Sequence, residues 1–152
     1  MGLDMFLTRE LYVSNWGKSP QEGYDVRVTY AGKETTLQQP RITHVTEEIG
    51  YWRKSNQIHA WFVGNVQQGV DDCGDYYVST EKLKQLKSIC EEILADHDKA
   101  EELLATKGGF FFGSTDYDEY YFEDLSRTVQ ILTEAIKLSE EPNSSIYYHS
   151  SW

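Results

Sequence analysis

The run Val45-Thr46-Glu47-Glu48-Ile49-Gly50-Tyr51-Trp52-Arg53-Lys54-Ser55-Asn56-Gln57-Ile58-His59-Ala60-Trp61-Phe62-Val63-Gly64-Asn65-Val66 decides how this chain is built. Val45, Glu48, Ile49, Trp52, Asn56, His59, Phe62 and Val63 recur at steps of three and four, the spacing of one helix face, which predicts a helix over 45–66. That helix divides the chain into a strand-rich front and a helical remainder.

In front of it, 5–13 and 24–30 are rich in β-branched and aromatic residues. The second alternates Val26, Val28 and Tyr30 with Asp25, Arg27 and Thr29. Ala31-Gly32-Lys33-Glu34 reads as a hairpin turn into a short strand at 35–37, closed by Pro40. Behind it, a Ser79 or Thr80 cap opens a helix over 81–104 with a stripe of Leu83, Leu86, Cys90, Ile93 and Leu94. A further helix over 118–138 carries Phe122, Leu125, Val129, Leu132 and Ile136. Gly108-Gly109-Phe110-Phe111-Phe112-Gly113 suits a short buried strand, and 146–149 a final one. Strands followed by helices predict an α+β fold, three main helices packed on a small, mainly antiparallel sheet, with one domain covering 1–152.

The first helix is unusual in mixing polar with apolar groups on one stripe. Trp52, Asn56 and His59, with Arg53 beside them, form a pocket wall in one reading: the indole stacks a planar group, the amide and imidazole hydrogen-bond, and the guanidinium neutralises an anion. In the other, Glu48, Asn56 and His59 are buried polar groups that satisfy neighbouring strands.

Charge narrows the classes further. The 152 residues carry a net charge of −11, and 91–124 holds 11 acidic residues against two lysines, a net of −9. Such a field repels nucleic acid and anionic membranes and attracts basic surfaces. With 14% aromatic residues, including 11 Tyr and 4 Trp, the chain is well supplied with side chains suited to interfaces. Two cysteines, Cys73 and Cys90, are too few for a disulfide framework and lie at no zinc spacing. Asp4 and Arg9 break the longest apolar run near the start, so no secretory leader is expected, and the apolar patch 60–63 is too short for a membrane span.

Three further clusters bear on chemistry. Asp71-Asp72-Cys73-Gly74-Asp75 lacks the ligand positions of a calcium loop and is explained by Asx-turn chemistry, so no metal ion is expected there. Lys82, Lys84 and Lys87 stand near the start of the second helix, and Glu91, Glu92, Asp96 and Asp98 near its end. That order opposes the helix dipole and points to tertiary pairing or a partner. In 109–124, Thr115 with Asp118 resembles a capping pair, whereas Asp116, Tyr117, Asp118 and Tyr120 together resemble an exposed contact surface. Phosphate loops, dinucleotide-binding glycines, a nucleophile elbow and zinc signatures are absent, so no cofactor is expected and no residue is assigned a catalytic role.

Several of these runs occur together: Met1-Gly2-Leu3-Asp4-Met5, Glu47 through Lys54 with Ile58-His59-Ala60-Trp61-Phe62, Asp71-Asp72-Cys73, Gly109-Phe110-Phe111-Phe112-Gly113 and Tyr117-Asp118-Glu119-Tyr120-Tyr121-Phe122. In this the chain resembles a family of small proteins encoded by bacteriophages and prophages, over most of its length. The resemblance implies a phage origin and a bacterial cytoplasm, and it carries over no catalytic residues. Two functions follow as expectations. One is an accessory protein that binds a host or anti-phage defence protein through the acidic, Tyr-rich surface. The other is a protein that binds, sequesters or hydrolyses a small anionic ligand such as a nucleotide at Trp52, Arg53, Asn56 and His59. Direct nucleic-acid and membrane binding are not expected, and a homo-oligomer is compatible with the aromatic surfaces.

Overall fold

Alternation with a period of two builds the centre of the molecule. The computed structural model describes residues 2–108 and 114–152. Strand β1 (Asp4–Tyr12) turns Met5 and Leu7 into the core and leaves Asp4, Phe6 and Thr8 half-exposed on the opposite face. After a loop carrying the small exposed hairpin of β2 (Thr29–Tyr30) and β3 (Lys33–Glu34), the chain enters β4 (His44–Arg53). Helix α1 (Asn56–Asn65), β5 (Tyr76–Val78), α2 (Thr80–Ala95), α3 (Ala100–Leu103), α4 (Glu119–Ser139) and β6 (Ser144–Ser151) follow. Four strands form an antiparallel sheet in the order β4-β1-β6-β5. The fold is α+β.

The run 45–66 is therefore not one helix. Its first part is edge strand β4, and its second is α1. Between them Lys54 takes a left-handed φ of 58° and donates its N–H to Leu3 O at 2.8 Å, which closes the ladder and reverses the chain. A β-bulge explains the misleading pattern. Leu7 pairs with Gly50 and Thr8 with Glu48, so Ile49 is an extra residue on β4. The inserted residue breaks strict alternation and leaves Val45, Ile49 and Trp52 at the four- and three-residue spacing of a helix face.

Among the described residues the helices cover one face of the sheet. Phe62 of α1 stacks on Tyr148 of β6 at 3.9 Å between ring centroids, and the Trp52 indole donates to Thr128 Oγ1 of α4 at 2.9 Å. Gly50 lets α4 approach the β4 backbone, for a Cβ at that position would lie 2.4 Å from Ile131 Cγ2. Helix α2 packs antiparallel on α4. Lys84 pairs with Glu140 at 2.9 Å near one end, and His97 stacks on Phe122 at 3.7 Å near the other.

Other expectations shift at their boundaries or are interrupted. The helix expected over 81–104 stops at Ala95, because Asp96 leaves helical geometry and accepts from the Asp98 N–H at 3.2 Å, capping a 3-10 turn at His97–Lys99. The cap at Ser79 is present, accepting from Lys82 N at 3.3 Å. Asp118, and not Thr115, caps α4 by accepting from Tyr121 N at 3.1 Å. The buried stripe of α4 is Tyr121, Leu125, Thr128, Leu132 and Ala135, rotated from the expected one so that Phe122, Val129 and Ile136 are half-buried flanks. The hairpin turns at Ala31-Gly32, both with positive φ, as two-residue hairpins require. Its strands are shorter than expected, and 35–37 is not one. The final strand is present and longer than expected. The strand expected at 108–113 lies, apart from Gly108, outside the described residues.

Candidate functional site

The loss of the 45–66 helix scatters its stripe. Trp52 faces inward from β4 at 1% exposure and is bonded to Thr128, so it is core and stacks no ligand. Arg53, next along the strand, points to the opposite face and lies 4.0 Å from Asp4 with its side chain largely exposed. His59 is buried on α1 with both ring nitrogens engaged. Nδ1 stands 2.7 Å from the Tyr148 hydroxyl and Nε2 stands 3.0 Å from Asp71 Oδ1. One tautomer satisfies the whole chain: Nε2–H donates to the carboxylate, and Nδ1 accepts from the phenol. Burial pushes the Tyr148 hydroxyl well above its ordinary range, with the charge of Asp71 adding to it, so it stays a neutral donor. This is the satisfied core histidine of the second reading.

Two distant sequence clusters do converge. Arg53 and Asn56, from the strand-to-helix turn, share a cleft of about 340 Å³ with Asp116, Asp118 and Tyr120 from the start of α4. The tight turn at Lys54 brings α1 back across the sheet edge, and the Asp118 cap holds the first turn of α4 opposite. Asp124 lies deeper in the cleft wall, where burial raises its carboxyl pKa against the opposing hydrogen bond from Gln57. Tyr117 is not part of this cleft. Its ring stands edge-on to Tyr121 at 5.1 Å, and its hydroxyl accepts from the Thr106 N–H at 3.3 Å.

Around this cleft the acidic segment folds into one end of the helix pair. The stacking of His97 on Phe122 and the bond from the Tyr121 hydroxyl to Leu104 O, 2.7 Å, hold the end of α2 and α3 beside the start of α4. Some acids there have intramolecular work: Glu91 pairs with Lys87 at 2.8 Å and Glu92 with Lys99 at 2.6 Å, and Asp96 and Asp118 are caps. Asp98, Glu101, Asp116, Glu119 and Glu123 are exposed, and among the described residues no cation lies within ion-pairing distance of them. Tyr120 projects beside them at 76% exposure. Such a surface offers carboxylates and a phenol to cationic groups.

At the Asp71–Asp75 turn the expected Asx geometry is present, Asp72 Oδ1 accepting from the Gly74 N–H and the Tyr76 hydroxyl, both at 2.9 Å. Sequence reading missed Tyr148 and Asp71 as partners of His59. It also missed the outward aromatics Phe6, Tyr51, Tyr77, Tyr147 and His149, whose signal is their place in alternating strands opposite buried neighbours. Among the described residues no helix is long and apolar enough to cross a membrane. Comparison of the chain with protein-family models, curated proteins and solved structures finds no match to any of them.

Proposed function

We propose that the protein is a non-catalytic accessory protein, of the phage kind its sequence resembles. It docks a basic surface of a host or defence-system protein on the acidic, tyrosine-bearing end of the α2–α4 pair. The observation that carries this reading is the group of exposed carboxylates Asp98, Glu101, Asp116, Glu119 and Glu123 around exposed Tyr120, none of them neutralised within the described residues. Charge of one sign concentrated on one face speeds encounter with an oppositely charged partner and repels the wrong ones. The partner class this suits is a protein whose own surface binds phosphates.

The test is affinity capture from the bacterial host with the wild type and an Asp116→Lys, Glu119→Lys variant, at low and high salt. A specific partner retained at low salt, released by salt and lost on charge reversal supports the reading. Capture that ignores both changes sinks it.

A second reading, a small anionic ligand such as a nucleotide in the cleft, draws support from the convergence of Arg53 and Asn56 with the start of α4. The carboxylates of Asp116, Asp118 and Asp124 on the same wall oppose an anion, which is why it ranks second. A thermal-shift panel of mono-, di- and cyclic nucleotides decides it, since a ligand that binds only the folded state must raise the melting temperature.

A further inference from the structure

The sheet has a second face that no described element covers. The described helices pack on the opposite face, that of Gly50, Trp52 and Tyr148. An antiparallel sheet open on one side ordinarily presents polar residues there. This one presents aromatics. By register, Tyr51, Phe6 and His149 lie abreast across β4, β1 and β6, with Tyr147 and Tyr77 abreast one step along β6 and β5. They touch: Phe6 stands 5.4 Å from Tyr51 and 5.9 Å from His149, and Tyr147 stands 6.1 Å from Tyr77, which is 60% exposed. The result is two ring groups set diagonally over four strands, Tyr51, Phe6 and His149 across β4, β1 and β6, and Tyr147 and Tyr77 across β6 and β5.

Carboxylates border these rings. Asp4 accepts from the Tyr51 hydroxyl, Glu48 points outward opposite Thr8, Glu10 points outward two residues farther along β1 and 3.5 Å from His44, and Asp75 lies 3.5 Å from His149. Among the described residues of the four strands, Arg53 is the lysine or arginine that points to this face, and it is already beside Asp4. At the far end of the face Lys18 supplies a cation from the neighbouring loop, its Nζ 5.9 Å from the Tyr12 ring and 4.8 Å from that of Tyr24. The molecule thus already rests one of its own cations on tyrosine faces at this rim.

We propose that the open sheet face is a docking site for an arginine-bearing segment of a partner protein, guanidinium groups lying over Tyr147, Tyr77 and Phe6 and pairing with the bordering carboxylates. A planar guanidinium both stacks on rings and forks onto carboxylates, so it uses both features of the face where an ammonium uses one. Charge excludes the other occupants of an aromatic sheet. Single-stranded nucleic acid would bring phosphates against Asp4, Glu10, Glu48 and Asp75. A second copy would set those carboxylates against their own images. This inference uses none of the residues at the α2–α4 end and stands apart from the function proposed for that end.

The test is titration of the isotope-labelled full chain with a synthetic peptide of alternating arginine and glycine, followed by amide chemical shifts. Shifts are expected along the outward positions of β1, β6 and β5. Replacing Tyr77 and Tyr147 by Ser removes two of the rings on which guanidinium groups would lie and is expected to weaken binding by about 5- to 30-fold. Asp116→Lys with Glu119→Lys is expected to leave the shifts on the sheet in place. Because Tyr147 is half-buried, an Asp75→Asn, Glu48→Gln variant at exposed positions gives a second measure, and weaker binding with a shallower salt dependence is expected. An equally charged lysine peptide is expected to bind less tightly. Shifts confined to the start of α4 overturn the proposal, as does binding indifferent to both variants. So does tighter binding of a single-stranded oligothymidine, or a dimer in sedimentation that the tyrosine variant dissolves.

Discussion

Gly50 supplies the sharpest test of how the molecule is assembled. It lies on β4 directly beneath α4, and a methyl group added to it comes to 2.4 Å from Ile131 Cγ2 and 3.3 Å from Leu7 Cβ. Carbon atoms in contact prefer about 3.5–4.0 Å. The methyl therefore overlaps Ile131 by more than an ångström, and Ile131 cannot swing aside, since a β-branched side chain inside a helix holds essentially one χ1 rotamer. Either α4 lifts or β4 bends, and overpacking of this kind costs roughly 1–3 kcal/mol. In a chain of this length each kcal/mol lowers the melting temperature by about 2–4 °C. The alternative, in which 45–66 is one helix, gives the opposite sign, because Gly→Ala in a helix interior stabilises by about 1 kcal/mol. Urea unfolding of the wild type, Gly50→Ala, Ile131→Ala and the double variant decides between them. The expected result is a destabilised Gly50→Ala whose cost shrinks by about 1 kcal/mol or more when Ile131 is also truncated. A stabilised Gly50→Ala, or one equally costly in both backgrounds, refutes the packing of α4 on β4.

Three other outcomes follow from buried groups. His59→Ala leaves the Tyr148 hydroxyl buried without its acceptor and is expected to cost about 1–3 kcal/mol in urea unfolding, part of which Tyr148→Phe restores. Burial, with the charge of Glu91 adding to it, pushes the Cys90 thiol up to about 12. The stability that comes from keeping this thiol neutral is intact below the unfolded value near pH 8.5. It is lost as pH rises toward 12, at about 1.4 kcal/mol per pH unit. Tyr121 and Tyr148, also raised by burial, steepen the loss, and Cys90→Ala is expected to flatten it in unfolding curves taken across that range. Asp124, raised by burial, stabilises the fold most when protonated, below its unfolded value, and that contribution is lost as pH rises through its folded value. Asp124→Asn keeps an acceptor for Gln57 and is expected to raise the melting temperature at pH 7 and leave it unchanged near pH 3.

Those tests fall where local pattern and tertiary structure part company. The α+β class, the Ser79 cap, the helix over 118–138 and the last strand were legible because each depends on residues within a turn or two of one another. The run 45–66 was not, because the bulge at Ile49 mimics helical spacing. The decisive signals were Gly50, which suits a position under a helix, and Ser55-Asn56, which suits a helix start. Of the candidate site residues, Arg53, Asn56, Asp116, Asp118 and Tyr120 gather at one cleft, although no local rule brings 53–56 to 116–120. Trp52 and His59 went inward because strand parity and the Tyr148 hydroxyl, 89 residues away in sequence, determine their surroundings.

The charges of α2 show how far tertiary structure accounts for the acidic surface. Along α2 alone they oppose the dipole, with lysines at its start and carboxylates at its end. Helix α4 runs antiparallel beside it, so Lys84 reaches Glu140 just beyond the negative end of α4, while the acids of 91–102 stand beside the positive end of α4 at Asp118. The pattern that disfavours one helix complements its neighbour. A helix end carries only about half an elementary charge, however, and its influence fades within one turn. The Asp118 cap meets most of that demand, and Asp118→Ala is expected to cost about 1 kcal/mol. Asp98 and Glu101 are then surplus to the fold. Asp98→Asn with Glu101→Gln is expected to change unfolding free energy by less than about 0.5 kcal/mol, as for surface sites without partners. The same pair of changes should weaken capture of a basic partner. A loss of stability comparable to that of Asp118→Ala would mean that the fold itself requires these carboxylates, and no partner would be needed to account for them.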